Sequence, residues 1–221
     1  AVIASAIRCY NDANGVADLT VTGGTLPYIY TWSNGRSVED LIDVEAGTYS
    51  VTVTDDRGCT ANDQVELGEP QAMDLIITVE QPIMCTGDAT GRLTALATGG
   101  TGTKTYLWDD PGNQTAATAT SLYAGVYHVT ATDINECTIT GQAELIEPSM
   151  LRLTETHINV GCNGDDDGVI NLSVTGGTAP YNYGWSGGQI SQDIADLAPG
   201  TYSVTVDDAH GCTADLTGIT I

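Results

Sequence analysis

The chain has no phenylalanine, and its 6 lysines and arginines are far outnumbered by 29 aspartates and glutamates. The net charge of −23 excludes nucleic acid and anionic membrane surfaces as natural partners, because both repel an acidic protein. No segment approaches the roughly 18 apolar residues of a membrane span, so we expect no direct membrane insertion. The sequence begins with Ala1 rather than Met, which indicates a processed product or an excerpt of a longer chain.

An internal repeat dominates what the sequence does contain. One block reads GGTLPYIYTWSNG from Gly23, GGTGTKTYLWDD from Gly99 and GGTAPYNYGWSGG from Gly176. A second block follows each of them, as AGTYSVTVTDDRGCT, AGVYHVTATDINECT and PGTYSVTVDDAHGCT. Such a period predicts a tandem array. We place the three repeats at residues 1–70, 71–148 and 149–221.

Strand phase follows from alternation within these blocks. Tyr49, Val51 and Val53 alternate with hydroxyl side chains, the period of two that a half-buried strand requires. Short strands between glycine-rich turns predict an all-β chain of three tandem immunoglobulin-like antiparallel β-sandwich domains. Pro70 and Pro148 stiffen the links between repeats, so we expect a semi-rigid rod.

Two aromatic positions recur once per repeat and are expected to be structural. A tryptophan in phase with buried tyrosines favours a place in the core over a sugar-stacking platform. A tyrosine after the glycine turn of a late strand resembles a tyrosine corner, whose hydroxyl holds a crossing loop. These residues are Trp32, Trp108 and Trp185, and Tyr49, Tyr127 and Tyr202.

The six cysteines recur with the period of the repeat, two in each, and form no CxxC motif. This pattern predicts disulfides and an oxidising compartment. We predict the simplest pairing, which lies within repeats: Cys9–Cys59, Cys85–Cys137 and Cys162–Cys212. The standard immunoglobulin strand order leaves an alternative open, because it puts the two cysteine-bearing turns at opposite ends of the sandwich. Cys137 would then reach Cys9 and Cys212 would reach Cys85, leaving Cys59 and Cys162 to pair between chains.

An acidic turn follows the first cysteine of each repeat. Asn163, Asp165 and Asp167 match the first half of a calcium loop, although the distal glutamate is missing. Asp12 and Asp88 occupy the position of Asp165 with fewer carboxylates around them. The alternative is that these side chains only stabilise a tight turn. A second acidic position, at the end of the tyrosine strand, either supplies extra ligands to the calcium ion or only faces solvent. Its residues are Asp55, Asp133 and Asp207. Calcium is thus a candidate ligand, and no cofactor is required.

No residue departs from the repeat pattern in the way that a catalytic group would. His128, His157 and His210 lie at positions expected to be on the surface. The sequence contains no nucleophile elbow, HExxH helix or phosphate-binding loop. We therefore expect that the protein is not an enzyme.

The two blocks and the cysteine before an acidic turn closely resemble the SprB repeat, three times over. That resemblance implies a large surface adhesin of Bacteroidota, of the kind that includes gliding-motility adhesins exported by type IX secretion. It also implies an extracellular, cell-surface location. The middle repeat departs from the pattern, with Lys104 where the others have Tyr28 and Tyr181.

Two functions fit the resemblance: a self-assembling filament subunit, or a stalk segment of a large adhesin. We expect copies of the chain to meet head to tail, since the chain starts late in the repeat pattern and stops at Ile221, where Glu-Pro would follow. Surface polysaccharide and other cells are further candidate partners. A carbohydrate-binding module is the alternative, and it requires exposed aromatic clusters.

Overall fold

All regular elements of the described chain are β-strands. The structure is a computed structural model that describes residues 2–162 and 164–221. It contains 18 strands over that range, six in each repeat, and they form six three-stranded sheets. The all-β, tandem immunoglobulin-like prediction is confirmed.

The first repeat has two antiparallel sheets, with strand orders β1-β2-β4 and β3-β5-β6. Each first strand pairs with the second, and each third strand pairs with the fifth, as in an immunoglobulin-like sandwich. The strands are β1 (Val2–Ser5), β2 (Gly15–Leu19), β3 (Ile29–Trp32), β4 (Leu41–Val44), β5 (Gly47–Thr54) and β6 (Thr60–Leu67).

The middle and third repeats have the same order of strands. The middle sheets are β7-β8-β10 and β9-β11-β12, and the third-repeat sheets are β13-β14-β16 and β15-β17-β18. Their strands are β7 (Asp74–Gln81), β8 (Gly91–Thr98), β9 (Thr105–Trp108), β10 (Thr118–Leu122), β11 (Gly125–Thr132), β12 (Thr138–Leu145), β13 (Arg152–Ile158), β14 (Gly168–Thr175), β15 (Asn182–Trp185), β16 (Ile194–Leu197), β17 (Thr201–Asp207) and β18 (Thr213–Thr220).

The alternating side chains of these strands form the core. In β5, Val51 and Val53 are buried, whereas Thr52 and Thr54 are more exposed. Leu19 of β2 and Leu41 of β4 join them from the other sheet. Burying each such side chain contributes about 1.5–3 kcal/mol, which is why apolar alternation specifies the sandwich. The third repeat builds its core in the same way, around Trp185.

The chain divides into two compact units, and the division cuts the middle repeat. The first unit comprises Ala1–Ile77, Ala95–Ala117 and His128–Gly141, and the second comprises Thr78–Thr94, Thr118–Tyr127 and Gln142–Ile221. The repeat boundaries at residues 70 and 148 stay a prediction. Nowhere in residues 2–162 and 164–221 is there a helix with the length and hydropathy to cross a membrane.

Candidate assembly interface

The two cysteines of a repeat lie in connections at opposite ends of its sandwich. In the first repeat, Cys9 lies between β1 and β2, and Cys59 lies in the turn between β5 and β6. The Ile7 amide donates to the Gly68 carbonyl at 3.4 Å, so the β1–β2 connection lies beside the end of β6. Cys59, in contrast, lies just before β6 begins. These two cysteines therefore face different neighbours.

Both disulfides of the structure join adjacent repeats. Cys9 is bonded to Cys137 with a Cα–Cα distance of 5.7 Å, and Cys85 is bonded to Cys212 at 5.6 Å. The simplest pairing, within repeats, is wrong, because it would have to span the length of a sandwich. The neighbour-bridging alternative is the one present. Cys59 and Cys162 are free and exposed.

Hydrogen bonds beside each disulfide repeat from one junction to the next. At the first junction, the Glu69 carboxylate accepts from the Asn11 amide at 2.6 Å. At the second junction, Glu147 accepts from the Gly87 amide at 2.6 Å. Asn11 and Gly87 each lie two residues after the first cysteine of their repeat, so the glutamate of each Glu-Pro pair accepts a hydrogen bond from the acidic turn of its own repeat.

The segment that begins with each Glu-Pro pair crosses the Gly-Gly turn of the repeat that follows. We call these segments, residues 69–75 and 147–153, the junction segments. The Gly100 amide donates to the Gln71 carbonyl at 2.8 Å, and the Gly177 amide donates to the Ser149 carbonyl at 2.8 Å. The approach admits only glycine: a Cβ on Gly99 would lie 1.9 Å from the Ala72 oxygen.

An aspartate four residues before the second cysteine organises this end of each repeat. Asp133 accepts amide hydrogens from Thr101, Asn135 and Cys137 at 2.7, 2.8 and 3.0 Å. Asp208 accepts from Thr178, His210 and Cys212 at 2.9, 2.8 and 2.9 Å. Burial alone would raise the pKa of both carboxyls, but the amide donors outweigh it and both pKa values lie below the ordinary 3.8.

The same aspartate in the first repeat is Asp55. It accepts amide hydrogens from Cys59, Thr25 and Arg57 at 2.8, 3.0 and 3.0 Å. The Cys59 amide is the main cause of its lowered pKa. The prediction from the repeat pattern placed Asp207 with Asp55 and Asp133. That prediction is wrong by one residue, because Asp208 makes the equivalent bonds. The signal that identifies Asp208 is its distance of four residues from the second cysteine, which is the same in all three repeats.

The first repeat lacks a junction segment over its Gly-Gly turn within the described residues. Gly23 and Gly24 are exposed, whereas Gly99, Gly100, Gly176 and Gly177 are half-buried. Asp55 is half-buried, whereas Asp133 and Asp208 are buried. A groove of ≈ 160 Å³ lies here, lined by residues that include Val21, Gly23, Tyr28, Asp55 and Cys59.

The recurrent aromatic residues support the fold. Trp32, Trp108 and Trp185 are at most 5% exposed, and each indole nitrogen donates to a backbone carbonyl. They therefore present no platform for a sugar. Each predicted corner tyrosine donates its hydroxyl to the carbonyl four residues earlier: Tyr49 to Glu45, Tyr127 to Tyr123 and Tyr202 to Ala198, at 2.9, 3.1 and 3.0 Å.

The acidic turns use their carboxylates for local hydrogen bonds. Asp12 accepts from the Asn14 side chain at 3.0 Å, and Asp167 accepts from the Gly161 amide at 2.9 Å. The amides of Asp88 and Asp165 donate to the carbonyls of the preceding cysteines, each at 3.1 Å. Asn163 lies outside the described residues. No group of three metal-binding side chains occurs in the part of the chain that the structure describes. Calcium binding stays a prediction.

The middle repeat carries a polar pair on its β9–β11 sheet. His128 Nδ1 lies 2.8 Å from Asp109 Oδ2, and both side chains are about half exposed. The His128 amide also donates to Asp109, at 2.7 Å. Desolvation would raise the pKa of Asp109, but the bonds from His128 lower it overall. Serines stand at the equivalent positions of the other repeats, where Ser33 accepts from the Ser50 amide.

These features define a class: tandem immunoglobulin-like domains joined by disulfides, typical of adhesin-type structural proteins. The SprB repeat matches the sequence at residues 2–37, 77–113 and 154–190, so the chain belongs to the SprB-repeat family. SprB repeats occur in cell-surface proteins, and the disulfides indicate an oxidising environment.

Several solved multidomain structures are similar to the chain. The three N-terminal domains of the bacteriophage RB49 Highly Immunogenic Outer Capsid protein (Hoc) are 15% identical, with 98% of this chain and 95% of that chain covered and a TM-score of 0.44. Drosophila OTK extracellular domains 3–5 are 12% identical, with 97% and 91% covered and a TM-score of 0.29. No curated protein matches the sequence.

Proposed function

We propose that the protein is a structural, adhesive component of the extracellular cell surface that assembles head to tail into a filament. Each molecule joins the next through a disulfide between Cys162 of one and Cys59 of the other. The SprB repeats and the in-chain disulfides support this proposal, because they show how one repeat is fixed to the next.

The observation that carries the proposal is the position of the two free cysteines. Cys162 occupies the place of Cys9 and Cys85, between the first two strands of its repeat. Cys59 occupies the place of Cys137 and Cys212, in the turn before the last strand. A bond from Cys162 to Cys59 of a second copy would therefore repeat the in-chain bond. Such a contact is heterologous, and a heterologous contact that does not close into a ring builds an open fibre.

Bond formation is an oxidation, so it requires an electron acceptor. The two thiols lose two protons and two electrons, which dissolved oxygen or a thiol oxidant of the cell envelope takes up. The two thiols are exposed and need no local unfolding to react.

Mixing two single-cysteine variants tests the head-to-tail bond. Oxidised wild-type protein is expected to give a ladder at multiples of 23.0 kDa on non-reducing gels. Cys59→Ser and Cys162→Ser proteins lose the ladder when oxidised separately. Their mixture yields one two-chain product whose non-reduced peptides contain the Cys59–Cys162 bond. Mixed products with no such peptide would contradict the proposal.

Electron microscopy of native material distinguishes a filament from a stalk segment. Uniform filaments that fall apart on reduction are expected for the filament. Isolated rods that a reducing agent does not change would instead support a stalk segment of a larger adhesin. The proposal also includes three features that the family resemblance implies: export by type IX secretion, a role in gliding motility and an origin in Bacteroidota. Surface polysaccharide and other cells are its proposed adhesion ligands.

A further inference from the structure

We propose that the two disulfides make the chain a tension-bearing tether, in which the three repeats resist a pulling force together rather than one after another. We call Cys9–Cys137 the first bridge and Cys85–Cys212 the second bridge. This inference goes beyond the proposed function, because it concerns force within one molecule. It needs no bond between molecules, so it holds for a filament subunit and for a stalk segment alike.

The two bridges overlap along the sequence. The first joins residues 128 positions apart and the second joins residues 127 positions apart, and Cys85 lies inside the span of the first bridge. Three backbone sections therefore connect one bridge to the other in parallel: residues 10–84, 86–136 and 138–211. The tails, residues 1–8 and 213–221, lie outside these sections. The two bridges can move apart only if all three sections lengthen.

Both bridges lie next to the middle strands of the sheets. The first bridge joins the connection that leads into β2, the middle strand of β1-β2-β4, to the turn that follows β11, the middle strand of β9-β11-β12. The second joins the connection that leads into β8 to the turn that follows β17, and both of these are middle strands too. A middle strand is hydrogen-bonded on both sides, whereas an edge strand is bonded on one. Force that enters through the bridges therefore acts on strands that are held from both sides.

The first repeat begins and ends at the first bridge. The Asn11 amide donates to the Glu69 carboxylate at 2.6 Å, and Pro70 lines the same cleft as both cysteines of the bridge. From there, residues 71–84, which include the strand β7, run to the second bridge. A strand is already nearly fully extended and has little length to give. Residues 10–84 therefore lengthen only if the first repeat opens.

The third repeat begins and ends at the second bridge in the same way. The Ser149 carbonyl accepts from the Gly177 amide at 2.8 Å, and both residues line one cleft with the two cysteines of that bridge. Residues 138–148, which include the strand β12, run to this point from the first bridge. Residues 138–211 therefore lengthen only if the third repeat opens. The remaining section, residues 86–136, contains β8 to β11 and lengthens only if the middle repeat loses these strands.

Tension between the two bridges is thus shared by all three repeats. Without the bridges, the same tension passes through the repeats in series, and the weakest repeat unfolds first. Forced unfolding is governed by the unfolding rate, so a repeat that carries about a third of the force withstands a larger total force. The tails contain β1 and β18, which are edge strands and should peel away first. The main resistance then comes from the three sections between the bridges.

Single-molecule pulling on the full chain, held by tags at its two ends, tests the tether. The parent protein carries Cys59→Ser and Cys162→Ser, so that no other disulfide forms. Its shortest covalent path runs from the first residue to Cys9, from Cys137 back to Cys85, and from Cys212 to the last residue, about 69 residue steps. The oxidised parent should therefore extend to about 240 Å, and the reduced parent to about 760 Å. The main unfolding event should need about two to three times the force in the oxidised parent, because the load is shared.

Two single-bridge proteins are the matched controls. Adding Cys9→Ala/Cys137→Ala or Cys85→Ala/Cys212→Ala to the parent leaves one bridge and no parallel sections, so the first or the third repeat, respectively, again carries the whole load. Each protein should extend to about 320 Å and start its main unfolding at about the force of the reduced parent. In denaturant, in contrast, each bridge contributes its own stability, so both midpoints should lie between those of the oxidised and the reduced parent.

The unfolding forces decide the proposal. An oxidised parent that unfolds at the force of its reduced form would overturn load sharing, and this comparison needs neither single-bridge protein to fold. Single-bridge proteins whose forces lie midway, as their denaturation midpoints do, would also overturn it, because the bridges would then act only as independent stabilising links. Because the parent lacks both free cysteines, neither result bears on disulfide assembly between molecules.

Discussion

The Gly-Gly turn of the first repeat and that of the third have the same sequence neighbours but different surroundings. Gly23 and Gly176 both precede a glycine and a threonine, yet only Gly176 lies under a backbone carbonyl. The aspartate that caps each turn is half-buried at Asp55 and buried at Asp208. In the second and third repeats, a segment that lies between the repeat and the one before it completes this end of the sandwich.

The largest expected effect comes from removing a disulfide between repeats. The Cys9→Ala/Cys137→Ala protein should lose about 4–5 kcal/mol of unfolding free energy in its first cooperative transition, because the bond closes a loop of more than about 100 residues. Thermal unfolding followed by circular dichroism measures the shift. The matched control is Cys59→Ala/Cys162→Ala, which removes two free thiols; an equal loss there would contradict the assignment of the bonds.

A smaller effect is expected from the aspartate that caps the turn. Asp133→Ala should destabilise the protein by about 2–3 kcal/mol, because three amides lose their acceptor in a buried site. Asp55→Ala should cost less, since water reaches the open turn. Denaturant midpoints compare the two, with the exposed Asp56→Ala as a control. A larger loss for Asp55 than for Asp133 would refute the difference in coverage.

Acid should destabilise the protein through the same carboxyls. Asp55, Asp133 and Asp208 have pKa values lowered from 3.8, so their contribution is complete above that pH and is lost as pH falls through the folded pKa values. Melting temperatures between about pH 6 and pH 2 should fall most steeply below about pH 4. In Asp133→Asn/Asp208→Asn protein the fall should be shallower, and an unchanged slope would exclude these groups as its cause.

The smallest expected effect concerns calcium at the third acidic turn. If Asn163, Asp165 and Asp167 bind the ion, a chelator should lower the melting temperature by a few degrees, a change of about 1 kcal/mol. Asp165→Asn/Asp167→Asn protein should not respond to the chelator. Asp12→Asn, at the corresponding place in the first repeat, should leave the response intact. An identical response in all three proteins would reject this site.

Sequence reasoning predicted the architecture well because the repeat supplied its own control. The alternation in β5 and the recurrent Trp32 position predicted strands and core, and the structure has both there. Alternation is a local consequence of burial, so it is visible without any knowledge of tertiary contacts.

The junctions were harder to predict because they depend on which ends of two sandwiches meet. Cysteine spacing alone favoured Cys9–Cys59, although strand order argued for Cys9–Cys137. The sequence analysis assigned the position of Asp208 to Asp207, because the two adjacent aspartates have the same side chain and the repeat pattern alone did not distinguish them. The immediate neighbours of Gly23 and Gly176 are the same, so they do not show that Gly23 is exposed whereas Gly176 is half-buried.

Mass mapping of disulfides in the non-reduced, alkylated protein is the decisive test of whether the bonds join adjacent repeats. Linked peptides should contain Cys9 with Cys137 and Cys85 with Cys212, while Cys59 and Cys162 are alkylated in monomers or linked to each other in oxidised oligomers. Linked peptides that join Cys9 to Cys59 or Cys162 to Cys212 would contradict the account, because each repeat would then be closed on itself and no bond would be left to join the array.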